Sequence, residues 1–229
     1  MYFGDWTFIL LVPALLLALI AQAKVKSTYA KYAKVAAASG LTAAQAAASL
    51  LQYGGAGDVA IERVAGQLTD HYDPRKRVLR LSEGVHDGRS LAALGIAAHE
   101  AGHALQHHDH YAPLMLRNGF YPVANIGSTL AFPLFFIGLI MSGQGPSVLM
   151  DIGILLFALA VLFSVITLPV EFNASRRAVA LLTERAILSP DEAGGARKVL
   201  SAAAMTYVAA TTMAVLQLVR LLLIRDSRD

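Results

Sequence analysis

The chain has 229 residues, 56% of them hydrophobic and 15% charged, with a formal net charge of +3 and no cysteine. That balance excludes an ordinary soluble domain and points to a membrane protein of one or two domains. No dense basic patch interleaved with aromatics is present, which excludes nucleic acid as a partner. Without cysteine, any metal must be held by His and carboxylate groups.

Residues 6–23 (WTFILLVPALLLALIAQA) form the first apolar stretch. Ala21-Gln22-Ala23 resembles a signal-peptidase site, but the leading segment carries Asp5 and no Lys or Arg. A signal peptide needs the opposite, so the stretch reads as a retained anchor. Lys24, Lys26, Lys31 and Lys34 follow it, which places that side in the cytoplasm and the N-terminus outside. Residues 25–38 read as a lysine-bearing helix with Tyr29, Tyr32 and Val35 on its other side, lying at the membrane surface or continuing the anchor.

Thr42 and Gln45 make a capping box for a helix through about Gln52, ended by Gly54 and Gly55. Val59–Val64 and Val78–Ser82 alternate as short strands, joined through the turn-rich Asp70–Pro74. A helix capped by Ser90 then runs to Gln106, with Leu91, Leu94, Ala98 and Leu105 at helical spacing. Next come a proline-bearing span, 120–141, the uncharged turn 142–147, and a third span, 149–168. Glu171 opens a polar helix to about Leu188, and residues 207–224 give a fourth, interrupted span.

The expected fold is therefore a mainly α integral membrane protein, with about four transmembrane helices and a small α+β zincin-like cytoplasmic part. Its domains read as an anchor (1–23), a catalytic part (24–118), a transmembrane hairpin (119–168), a ligand helix and connector (169–203), and a C-terminal transmembrane helix (204–229). With the N-terminus outside, both Lys/Arg-bearing segments share the cytoplasmic side.

The helix after Ser90 carries His99-Glu100-Ala101-Gly102-His103. Residues four apart share a helix face, so His99 and His103 can reach one Zn2+ ion. Glu100 stands beside them, placed to take a proton from a water bound to that ion. A catalytic zinc keeps three protein ligands and one open position. Glu171, where the third span emerges on the cytoplasmic side, is the candidate for the third, and Ser175 one turn on can hydrogen-bond a ligand from behind. His71 and Tyr72 are candidates for stabilising an oxyanion, and Tyr121 is a further one. The strand Val78, Leu79, Arg80, Leu81, Ser82 is expected to offer an edge onto which an extended peptide adds. His107, His108 and His110 read as a solvated helix end.

HEAGH, the stretches LTDHYDPRKRVLRLS (68–82), SLAALGIAAHE (90–100) and LPVEFNASRRA (168–178), in that order along the chain, resemble the YugP-like neutral zinc metallopeptidases. The resemblance spans about residues 40–215. It implies a bacterial membrane protease of the gluzincin type, with His99, His103 and Glu171 as zinc ligands and Glu100 as the catalytic residue. Related heat-shock and prenyl-protein membrane proteases carry Glu-x-x-x-Asp at the third ligand, whereas this chain has Ser175 in the last place.

Expected partners are a peptide or protein substrate near the membrane and the lipid bilayer of the bacterial inner membrane. Two rival readings stand beside this one. An intramembrane site-2 type protease would take its third ligand from Asp151, since Leu149–Gly153 faintly resembles that pattern. A non-catalytic scaffold or chaperone would keep zinc for structure alone, but metal binding by itself has no need of Glu100.

Overall fold

The structure is a computed structural model and describes residues 6–141, 145 and 147–227. Asp5, and the turn 142–147 apart from residues 145 and 147, lie outside the described residues. Seven α-helices and three strands follow a short 3-10 helix at Trp6–Leu11: α1 (Val12–Tyr32), α2 (Ala43–Tyr53), β1 (Ala60–Val64), β2 (His71–Asp73), β3 (Val78–Ser82), α3 (Glu83–His86), α4 (Leu91–His108), α5 (Ala112–Met141), α6 (Val148–Glu184) and α7 (Pro190–Asp226). Four stretches, Trp6–Tyr32, α5, α6 and α7, are long and apolar enough to cross a membrane.

The chain divides into two compact units. The first holds the segments up to Ile20, Leu116–Leu168 and from Thr206 on. Here α5 and α6 pack closely because glycines face backbone. A Cβ at Gly127, Gly138 or Gly153 would lie 2.7, 2.6 or 2.7 Å from a backbone atom of the facing helix. Phe135, Met150 and Leu221 form its buried centre. Polar ties join distant parts of the chain here: Arg220 Nε donates to Thr7 Oγ1 at 3.1 Å, and Arg225 Nε donates to Asp151 Oδ1 at 3.1 Å.

The second unit comprises Ala21–Met115 and Pro169–Met205. Its core is alanine-rich: Ala46, Ala47 and Leu50 of α2 and Leu94, Ala98 and Ala101 of α4 cluster with Leu79 and Leu81 of β3 and with Ala178, Leu182 and Ala196 of α6 and α7. Small side chains let these helices approach closely, and burial of the leucines supplies the driving force. The caps form as the residues dictate. Thr42 and Gln45 close a complete capping box on α2, and Ser90 Oγ accepts the Ala93 N–H at the start of α4.

Three expectations need correction here. The segment read only as turn, Asp70–Pro74, contains β2, which pairs antiparallel with β3, while β1 pairs parallel on the other side. The sheet order is β1-β3-β2, so Val78, Leu79, Arg80, Leu81 and Ser82 form the central strand. Its backbone groups are taken by neighbours on both sides, and no peptide can add there. Glu171 does not open a new helix either, because α6 runs unbroken through Pro169. A proline within a helix removes one backbone hydrogen bond and can bend the helix without ending it.

Candidate metal centre

Everything that forms the centre belongs to the second unit. On α4, His99 and His103 stand one turn apart with their rings edge to face, 4.7 Å between centroids. Gly102 is what lets α6 come near: a Cβ there would sit 2.9 Å from the Ala174 carbonyl oxygen. The close approach brings Glu171, only 3% exposed, against both imidazoles. Its Oε2 lies 3.4 Å from His99 Nε2 and 3.6 Å from His103 Nε2.

Those separations fit a shared ion. Ligand atoms about 2.0–2.1 Å from a tetrahedral zinc stand about 3.3–3.4 Å from one another. One ligand atom from each of the three residues falls within 4.8 Å of the others, and the donor set, two imidazoles and a carboxylate, suits zinc.

The far side of each imidazole is fixed. Gln106, fully buried, donates through Nε2 to the Val170 carbonyl and to Asn173 Oδ1, both at 2.9 Å. Its Oε1 therefore faces His103 Nδ1 at 3.0 Å and accepts that proton, leaving the His103 Nε2 lone pair for a metal. Asn173 Oδ1 also accepts from Arg177 Nε at 3.0 Å, and Arg177 in turn pairs with Asp109. Ser175 Oγ lies 3.1 Å from His99 Nδ1 and fixes the orientation of that ring.

Sequence reasoning missed Gln106 and Asn173. The available signal was spacing, since Gln106 lies three residues past His103 and hence on its face of the helix. Gln106→Leu keeps the volume but removes the acceptor for His103 Nδ1. We expect zinc affinity to fall about 10–100-fold, measured by competitive titration with a chromophoric chelator.

Glu100 is half-buried beside the group. Burial pushes its carboxyl above the usual glutamate range, against the pull of His99 and His103. Its Oε2 accepts the backbone N–H of Tyr72 at 3.1 Å, so β2 holds the carboxylate from the sheet side. The Tyr72 hydroxyl, by contrast, is engaged with His107 Nδ1 at 2.9 Å. Burial lowers His107 below the usual imidazole range, which favours the neutral ring. Tyr72 thus enters the centre through its backbone, and His107 is a partner in the sheet–helix contact instead of part of a solvated end; His108 and His110 are exposed.

His71 is not brought to the group. It alternates with Tyr72 along β2 and is exposed on the opposite face, bonded to the Thr69 carbonyl and near Arg80. Tyr121 lies in the first unit, its ring packed on Phe163.

Comparison with known proteins agrees with this donor set. A family model described as "Putative neutral zinc metallopeptidase" matches residues 7–226. The chain is 49% identical over 215 residues to "Putative membrane protease YugP" of Bacillus subtilis (strain 168), covering 94% of each protein. No solved structure matches. A match over nearly the whole chain, with two imidazoles and a buried carboxylate converging as a zinc site requires, leads to one assignment: the chain belongs to the family described as "Putative neutral zinc metallopeptidase".

Proposed function

We propose that this protein is a membrane endopeptidase of the gluzincin type, holding one zinc ion through His99, His103 and Glu171 and using Glu100 as general base. The observation that carries the reading is the spacing of the three ligand atoms, with Glu171 Oε2 at 3.4 and 3.6 Å from the two imidazole nitrogens. When bound, zinc supplies Lewis-acid chemistry, lowering the pKa of a coordinated water towards about 7.

The residues around the group do the rest. With Oε2 held by the Tyr72 N–H, Glu100 Oε1 takes the proton from the attacking water and then delivers it to the leaving amine. The raised Glu100 carboxyl suits that exchange, because burial makes it hold a proton more readily than an ordinary glutamate does. Gln106 holds His103 in the tautomer that presents Nε2, and Ser175 fixes the orientation of His99. The outer edge of β2, next to α4, is where an extended peptide would run, since β3 is enclosed by its neighbours.

Four apolar helices, with lysines and arginines in the C-terminal parts of the first and third, support a multi-pass protein of the bacterial inner membrane. The same charge distribution supports a zinc group facing the cytoplasm, acting on peptide or protein substrates near the bilayer.

The test is zinc content together with casein proteolysis by the protein purified in detergent. Wild type should carry one zinc and cleave, and chelation should abolish cleavage. His99→Ala and His103→Ala should each lose the metal and the activity, since two ligands would remain. Stoichiometric zinc in either variant would contradict the coordination.

A further inference from the structure

Behind the metal group the second unit has a cavity of about 1590 Å³, walled by α1, α6 and α7. This exceeds the ~300–1,000 Å³ usual for a site that takes a drug-sized ligand. Five cations line it: Lys24 and Lys31 from α1, Arg176 from α6, and Arg197 and Lys198 from α7. Glu184 is the one carboxylate among the described lining residues. Among the described residues none of the five cations forms an ion pair, although other arginines of this unit, such as Arg77 and Arg80, do. Five cations against one carboxylate leave this concavity with an excess of positive charge, a cost that an anionic occupant would reduce.

The floor has a different chemistry. Phe172, Val179, Leu200 and Met205 line the same cavity. Each wall helix also continues directly into an apolar stretch of sequence. Lys24 follows the run 6–23 on α1, Phe172 stands four residues beyond Leu168 on α6, and Met205 stands two before Tyr207 on α7. A small soluble anion would use the cations and leave the floor wet. A carboxylate-rich peptide would do the same. An occupant with an anionic headgroup and hydrocarbon chains uses both.

We propose that this cavity is a specific seat for an anionic glycerophospholipid, with its phosphodiester among Lys24, Arg176 and Lys198 and its acyl chains over Phe172 and Met205. Basic pockets between helices at a membrane boundary take such headgroups by charge-assisted hydrogen bonds, and the hydroxyl of Ser201 supplies a further donor. The wall also contains Ser175, the residue bonded to His99, so the lipid seat and the metal group share a side chain.

The experiment is native mass spectrometry of the full-length protein in nonionic detergent, titrated with dioleoylphosphatidylglycerol or dioleoylphosphatidylcholine. Wild type should retain one phosphatidylglycerol with a preference of about a hundredfold over phosphatidylcholine. Each cation near such a headgroup contributes about fivefold, so Lys24→Gln/Arg176→Gln/Lys198→Gln should bring the preference near parity. Ser201→Trp keeps every cation but sets an indole into part of the cavity, and should weaken phosphatidylglycerol retention. Lys34→Gln/Arg75→Gln/Lys76→Gln removes three exposed cations outside the cavity and should change nothing.

Equal retention of the two lipids by wild type would overturn the proposal. So would undiminished phosphatidylglycerol binding by Ser201→Trp, which would reduce the effect to general surface charge. Displacement of the lipid by inorganic phosphate at equal concentration would remove the apolar floor from the argument and defeat it. Tighter binding of a glutamate-rich peptide than of phosphatidylglycerol would make the cavity a peptide site instead.

Discussion

Glu100→Gln should leave one zinc bound per chain and slow peptide hydrolysis by about 10²–10⁴-fold. Glutamine has the shape of glutamate, and its amide oxygen can still accept the Tyr72 N–H that holds Oε2 at 3.1 Å. The ligand atoms on His99, His103 and Glu171 are untouched, so metal content, measured by elemental analysis after gel filtration, should match wild type. What the amide lacks is a site that can take a proton from water and return it to the leaving amine. A rate near wild type on a fluorogenic peptide would remove Glu100 from the chemistry. A wild-type protein that binds zinc and cleaves nothing would favour the scaffold reading, because Glu100→Gln would then change no measurable property.

Much of the local structure of the second unit is written in its residues. The capping box at Thr42 and Gln45 and the cap at Ser90 set the starts of α2 and α4, and β3 has the bounds Val78–Ser82 that its alternation predicts. These are short-range devices, complete within four residues, so the sequence displays them in full. β2 was hidden for the opposite reason. Three residues between Asp70 and Pro74 carry no readable period, and only pairing with β3 makes them a strand. That pairing decides which strand is central, and with it which edge is free.

The centre divides the same way. His99 and His103 announce themselves by spacing, and Glu171 by its position past an apolar span. Gln106 is a glutamine among alanines and leucines, without pattern of its own. Only its complete burial, and the two bonds that turn its carbonyl oxygen towards His103, give it a role. Tyr72 is a sequence candidate for stabilising an oxyanion, yet the group that reaches Glu100 is its backbone N–H, which every residue but proline has. Side-chain chemistry is legible in a sequence, whereas backbone chemistry waits for the fold.

Glu171→Gln should abolish activity and lower zinc affinity by more than the ~10–100-fold that loss of a supporting hydrogen bond costs, while Asp151→Asn should leave both near wild type. Both carboxylates lie on α6, about 20 residues apart, which at 1.5 Å per residue separates them by about 30 Å. A zinc–carboxylate bond is about 2.0–2.2 Å long, so one ion cannot take both. Glu171 is the carboxylate that stands 3.4 and 3.6 Å from the two imidazoles. Asp151 has a different occupation, accepting a hydrogen bond from Arg225 at 3.1 Å in the first unit. Breaking that exposed pair costs at most about 1 kcal/mol of stability and touches no ligand. Parallel zinc titrations of the two purified variants decide between the two placements of the third ligand. Loss of zinc in Asp151→Asn with retention in Glu171→Gln would move the site into the apolar spans and defeat the assignment made from α4 and α6. Loss in Glu171→Gln alone leaves the intramembrane reading without a third ligand.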